Sequence, residues 1–140
     1  MSEAVREAPK KQRPQFRNIH VTELGNYRMT LAAIVSILHR ISGFIMFAAL
    51  PVILYMLQQS LLSEDTFKYF AGILSHPLSK IVLLGLLWAY YHHFCAGVRH
   101  LFMDMHIGIE KQSSRQSAAT VLAISLSLTF ITALKLFGVF

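Results

Sequence analysis

The sequence predicts an all-α membrane protein with three transmembrane helices. Three observations carry this reading. Apolar residues make up 54% of the 140 residues and charged residues 14%, against roughly a quarter charged in ordinary soluble domains. A chain this short has too little interior to hide so much apolar surface. The apolar residues also gather into three long runs, with most of the lysines and arginines outside them.

The same numbers exclude other classes. A disordered chain needs low hydrophobicity and high charge. A single cysteine, Cys95, forbids an internal disulfide and a cysteine-cluster metal site. The net charge of +6 invites a nucleic-acid partner, but the positions of the charges argue against one. Of 13 Lys and Arg, six precede Met29: Arg6, Lys10, Lys11, Arg13, Arg17 and Arg28. A basic tail ahead of a long apolar run is the mark of a cytoplasmic flank.

Residues 1–28 read as this basic cytoplasmic tail, broken by Pro9 and Pro14, with a short surface helix near Val21–Tyr27. It is not a signal peptide, because the following run is too long and no small-residue cleavage site closes it. Residues 29–140 read as a three-helix anchor domain, with spans at about 29–57, 80–105 and 117–137.

The first run, Met29–Leu57, has His39 and Arg40 as its only ionisable residues. As a helix it reaches about 43 Å, beyond a hydrocarbon core of roughly 30 Å. Pro51 lies inside it, which bilayer helices tolerate. Gln58–Ser79 reads as a polar loop in which Ser63-Glu64-Asp65 opens a short helix through Phe70. The second span is interrupted by His92 and His93. His106–Gln116 reads as a short loop, and Ser117–Leu134 carries no charge, with Lys135 placed to snorkel. Counted over flanks and loops, eight Lys and Arg fall on the side of the tail and three on the other. That places the N-terminus on the cytoplasmic side of the membrane.

Ionisable groups at membrane depth are costly, so each marks a candidate site. Ser36, His39, Arg40 and Gly43 are spaced i, i+3, i+4, i+7, one face of the first helix. His93, Gly97, His100 and Asp104 are spaced i, i+4, i+7, i+11, one face of the second, with Arg99 one residue off that stripe. Arg40 lies about 17 Å along its helix from Met29, and His93 about 20 Å from His106, so the two sit at comparable depth. An imidazole in apolar surroundings with an arginine nearby suits a b-type haem. The imidazole binds iron, the guanidinium fork matches a propionate, and Gly97 leaves room for a flat macrocycle.

Structural readings compete for several of these residues. A membrane histidine can simply bond a neighbouring helix, Arg99 and Asp104 can be interface charges, and Gly43 and Gly97 can serve close packing. Phe44, Phe47, Trp88, Tyr90 and Tyr91 read as packing or belt aromatics, and Cys95 as a small apolar filler. His92 and His93 point about 100° apart and cannot grip one iron together. The second axial ligand is either His39 or a residue of another subunit.

Two segments resemble one family. Ser36-Ile37-Leu38-His39-Arg40-Ile41-Ser42-Gly43 is similar to the signature of the cytochrome b membrane-anchor subunit of succinate dehydrogenase, respiratory complex II. His93-Phe94-Cys95-Ala96-Gly97-Val98-Arg99-His100-Leu101-Phe102-Met103-Asp104 resembles the second signature of the same family, and Arg13-Pro14 fits the tail. The resemblance runs from about residue 11 to 137.

It implies a chain that forms half of a two-subunit, haem-binding helical bundle. The implied partners are a second small anchor subunit, an iron–sulfur subunit and a flavoprotein subunit, in membrane lipid. One haem b would be shared with the partner anchor, and ubiquinone would be the substrate. Residue by residue, His93 matches the axial haem ligand. Ser36, Arg40 and Asp104 match quinone-site positions, and His39, Arg40 and His100 match positions near the haem propionates. No catalytic residue for succinate oxidation is expected in this chain. Two alternatives remain: the anchor of a quinol:fumarate reductase, and a structural anchor without cofactor. A channel finds little basis in three spans with one central arginine.

Overall fold

The computed structural model describes residues 20–139, all helix and connecting turns. The tail cations Arg6, Lys10, Lys11, Arg13 and Arg17 lie outside the described residues. A 3-10 segment, Val21–Asn26, stands where a short surface helix is expected. Four α-helices follow: α1 Leu31–Ser60, α2 Glu64–Ser75, α3 Pro77–Asp104 and α4 Lys111–Leu136. Helices α1, α3 and α4 are long and apolar enough to cross a membrane.

Local chemistry sets each boundary. Thr30 caps α1 by accepting a hydrogen bond from the Ala33 N–H at 3.3 Å. Ser63 and Thr66 form a reciprocal capping box on α2, and the Thr66 hydroxyl donates to the Gln59 carbonyl at 2.7 Å, tying α2 to the end of α1. Pro77 opens α3 at a position where its missing N–H costs nothing. Helix α3 closes on His106 at φ 61°, with the Ile107 N–H donating to the Phe102 carbonyl. Glycine usually fills that left-handed position.

Four boundaries differ from the sequence reading: α1 runs on to Ser60 and α3 begins at Pro77, both inside the stretch Gln58–Ser79 read as a loop. Helix α2 runs on past Phe70 to Ser75. Helix α4 begins at Lys111, inside the stretch His106–Gln116 read as a loop. Its first turns are polar because they meet a buried arginine of α3, described below.

The bundle core is made of small groups: Val35, Ala89, Ala96, Ala118 and Val121 are buried, with Ser42 and Ser125 beside them. Many of the large apolar side chains face outward, among them Phe44 at 71% exposure and Phe47 at 75%. That is the reverse of a water-soluble domain. Small residues let helix backbones approach, and bulky apolar ones meet lipid or a partner helix. The chain is therefore a multi-pass membrane protein. Its near end holds the start of α1, the end of α3 and the start of α4.

Candidate functional site

Helix α3 carries polar groups on two adjacent faces with different surroundings. Ala89, His92, Ala96 and Arg99 are buried inside the three-helix bundle. His93, Gly97 and His100 line an open face beside α1 and are only partly buried, and Asp104 at the helix end is exposed.

His92 is fully buried, and neither ring nitrogen has a hydrogen-bond partner. The ring stacks on Trp88, centroids 5.4 Å apart, whose indole N–H is also unpartnered. It lies against the Val35 backbone without reaching hydrogen-bond geometry. Nothing flat and large can approach a ring so enclosed.

His93 is held differently. Its Nδ1 lies 2.9 Å from the carbonyl oxygen of His39, across the α1–α3 interface. A carbonyl oxygen only accepts, so Nδ1 bears the proton and Nε2 keeps its lone pair. Nε2 makes no hydrogen bond among the described residues. Gly43 lies beneath the ring, and a Cβ there would stand 2.7 Å from His93 Cε1. An imidazole tied to a backbone carbonyl through one nitrogen and open at the other has the form of a metal-ligating histidine.

The His39 ring stacks on His93 with centroids 4.0 Å apart and planes 13° from parallel. It covers the face of the imidazole and leaves the in-plane edge of Nε2 open. Two rings arranged face to face cannot serve as opposed axial ligands of one metal. His100 tilts against His39 at 5.0 Å. The described residues hold no chelating group of three His, Cys, Asp or Glu side chains. The open face is suited instead to one imidazole donor and a metal whose remaining ligands come from elsewhere.

The other sequence-predicted residues take separate places. Ser36 is partly buried on α1, one turn nearer the near end than Arg40. Arg40 is exposed on the same helix and forms no ion pair among the described residues. Asp104 likewise pairs with no cation there. Ser36, Arg40 and Asp104 are thus not joined by any direct bond within this chain.

Arg99 is buried on the enclosed face of α3 with His92, not on the open face of His93 and His100. Its Nε donates to Ser117 Oγ at 3.0 Å, and Nη2 donates to Ser114 Oγ at 2.9 Å and to the Ser114 carbonyl at 3.3 Å. It fastens α3 to the first turns of α4. Ser42, one of the deepest side chains, was not among the predicted site residues, yet its hydroxyl reaches the His93–His39 contact. Its offset of three residues from His39 is the one signal for this, since a helical serine can bond the carbonyl at i−3.

A cleft of about 660 Å³ lies elsewhere, at the near end. Arg28, Lys111 and Arg115 line it together with Met29, Leu31 and Ile34.

Fold and site together define a three-span membrane subunit with a histidine-bearing face left open beside α1. The chain belongs to the succinate dehydrogenase/fumarate reductase transmembrane subunit family, whose model matches residues 9–132. It is similar to the succinate dehydrogenase cytochrome b556 subunit of Paracoccus denitrificans, 34% identical over 111 residues, covering 79% of this chain and 85% of the relative. The subunit of the same name from Coxiella burnetii is 35% identical over 104 residues, 74% of this chain and 83% of the relative. That from Rickettsia felis is 29% identical over 108 residues, 77% and 84%.

Proposed function

We propose that this chain is the cytochrome b anchor of a succinate:quinone oxidoreductase, binding haem b through His93 and contributing to a ubiquinone site. The observation that carries the reading is the His93 imidazole, tied by Nδ1 to the His39 carbonyl and open at Nε2. The residues present fit the group. The ring seat at Gly43 leaves no space for a side chain. His39 stacks on His93 and His100 tilts against His39, where both would donate to propionates, and Arg40 follows His39 on the exposed side of α1. Bound there, a b-type haem supplies a one-electron redox centre. Because His39 lies face to face with His93, a second protein ligand would come from a partner anchor subunit, with which the haem would be shared.

Succinate oxidation belongs to a flavoprotein partner, which releases two electrons and two protons per succinate. An iron–sulfur partner passes the electrons on, and ubiquinone takes up two electrons and two protons to become the quinol. In this chain the Ser36 hydroxyl donates a hydrogen bond to a quinone carbonyl. The Arg40 guanidinium stabilises negative charge that builds on the reduced ring. The Asp104 carboxylate, at the near end of α3, holds and passes a proton. The cationic cleft lined by Arg28, Lys111 and Arg115 supports a cytoplasmic near end, in a bacterial inner membrane, against which the iron–sulfur partner docks. The names of the relatives favour succinate oxidation over fumarate reduction.

Purification of the intact complex through a tag on this chain tests the reading. The expected result is co-purification of a flavoprotein, an iron–sulfur protein and a second small anchor, with a b-type reduced-minus-oxidised spectrum. A stable complex with no haem signal would leave only a structural anchor.

A further inference from the structure

Two groups meet at the Nδ1 edge of His93. The His39 carbonyl oxygen lies 2.9 Å from Nδ1. Ser42 Oγ lies 2.9 Å from the same carbonyl oxygen and 3.3 Å from Nδ1. The hydrogen assignments follow from the carbonyl, which cannot donate. The imidazole N–H and the Ser42 O–H both point at it, so one oxygen receives two side-chain donors from two helices, beside the backbone N–H of its own helix.

Serines in helices often bond the carbonyl at i−3, and by itself that bond carries no function. Here two further facts apply. Ser42 is 1% exposed, so no water competes for its hydroxyl. The carbonyl it shares is also the acceptor that orients His93 from across the helix interface.

We infer that Ser42 is a positioning residue for His93, sharing the His39 carbonyl with the imidazole N–H and thereby setting the electron density that Nε2 offers to a bound iron. The inference rests on the reading of His93 as the haem ligand. An N–H donated to a strong acceptor raises the basicity of the ligand nitrogen. Greater ligand basicity favours the oxidised metal and lowers the reduction potential. The Ser42 hydroxyl draws on part of that acceptor. At 2.9 Å its bond to the carbonyl is shorter than its 3.3 Å approach to Nδ1, so competition for the carbonyl is its larger effect. Without the hydroxyl, the imidazole shares the carbonyl only with the helical N–H of Gly43.

The test compares Ser42→Ala, Ser42→Thr and Ser42→Val in the intact complex. Thr and Val have the same shape and differ in the hydroxyl alone, so their comparison stands even if one packing change disturbs the bundle. The readouts are the haem midpoint potential and the low-spin electron paramagnetic resonance signature, neither of which depends on turnover. Ser42→Ala is expected to keep its haem, with a potential more negative than the parent's and altered g-values. Ser42→Val is expected to lie negative of Ser42→Thr. Equal potentials and signatures in Ser42→Ala and the parent, or in the Thr and Val variants, would overturn the inference. His93→Ala serves as the separate control. If it keeps the parental haem spectrum, the ligand reading fails; if it loses that spectrum while the Ser42 variants match the parent, only the role of Ser42 fails.

Discussion

Gly43 of α1 and His93 of α3 occupy one another's space. A methyl group on Gly43 would stand 2.7 Å from Cε1 of the imidazole, closer than side-chain atoms tolerate, and 3.2 Å from Nδ1. The ring sits where the missing side chain would be, and the His39 carbonyl then meets its Nδ1. Two positions far apart in the chain thus fix the direction of Nε2.

Gly43→Ala is therefore expected to push His93 off the His39 carbonyl and to weaken or alter the haem spectrum. Gly85→Ala, in the same bundle but with nothing within 4 Å of the added group, is expected to leave it unchanged. In a helix interior that second change removes backbone freedom of the unfolded chain and favours stability by about 0.5–1 kcal/mol. Haem content per mole of complex, measured for both variants, checks the contrast. Equal haem content in Gly43→Ala and the parent would contradict it.

Arg99 supports the bundle rather than the open face. Its three hydrogen bonds to Ser114 and Ser117 are made away from water. Bonds from a charged donor contribute about 1.5–3 kcal/mol each in mutational series. Arg99→Met is expected to lower the thermal midpoint of the complex in detergent by several degrees. The ratio of quinone-linked to dye-linked activity should stay at the parental value in the assembled fraction. A changed ratio with an unchanged midpoint would assign Arg99 to the quinone site instead.

The spans were legible in the sequence because long apolar runs have few other uses in a short chain. The two polar stripes were legible as well, since their spacing follows the helical period. Which stripe faces the bundle interior was not. His92, Ala96 and Arg99 stand about 100° round the helix from His93, Gly97 and His100, and both sets mix polar with small residues. Only the packing of α1 and α4 shows which of them is enclosed. The start of α4 was hidden for a related reason. Gln112, Ser113, Ser114 and Gln116 have the composition of a loop, yet they lie in the first turns of α4, where Ser114 accepts from the buried Arg99. Ser42 fell off the stripe through Ser36, His39, Arg40 and Gly43, and its contact with His93 appears only once two helices are placed together.

The quinone assignment makes its own prediction. Arg40 forms no ion pair among the described residues, and a charge at membrane depth needs a counterpart. Ser36, one turn away, offers a single donor. Losing one neutral hydrogen bond costs about 0.5–1.5 kcal/mol, and one to a charged group about 1.5–3. Ser36→Ala is expected to slow quinone reduction several-fold, and Arg40→Leu more strongly. Succinate oxidation with a dye that takes electrons ahead of the quinone should persist in both. The ratio of the two activities in membranes is the measurement, and an unchanged ratio with normal assembly would return both residues to helix packing.

The central claim is that His93, and not its neighbour His92, presents an imidazole to haem iron. The reduced-minus-oxidised spectrum of the purified complex, taken for His93→Ala and His92→Leu side by side, tests it most directly. His92→Leu fills a buried site of similar volume and removes two unpartnered nitrogens, so the b-type signal should remain and the bundle should be no less stable. His93→Ala leaves the iron without this chain's ligand, so the signal should be lost or altered. A parental spectrum in His93→Ala together with its loss in His92→Leu would contradict the account.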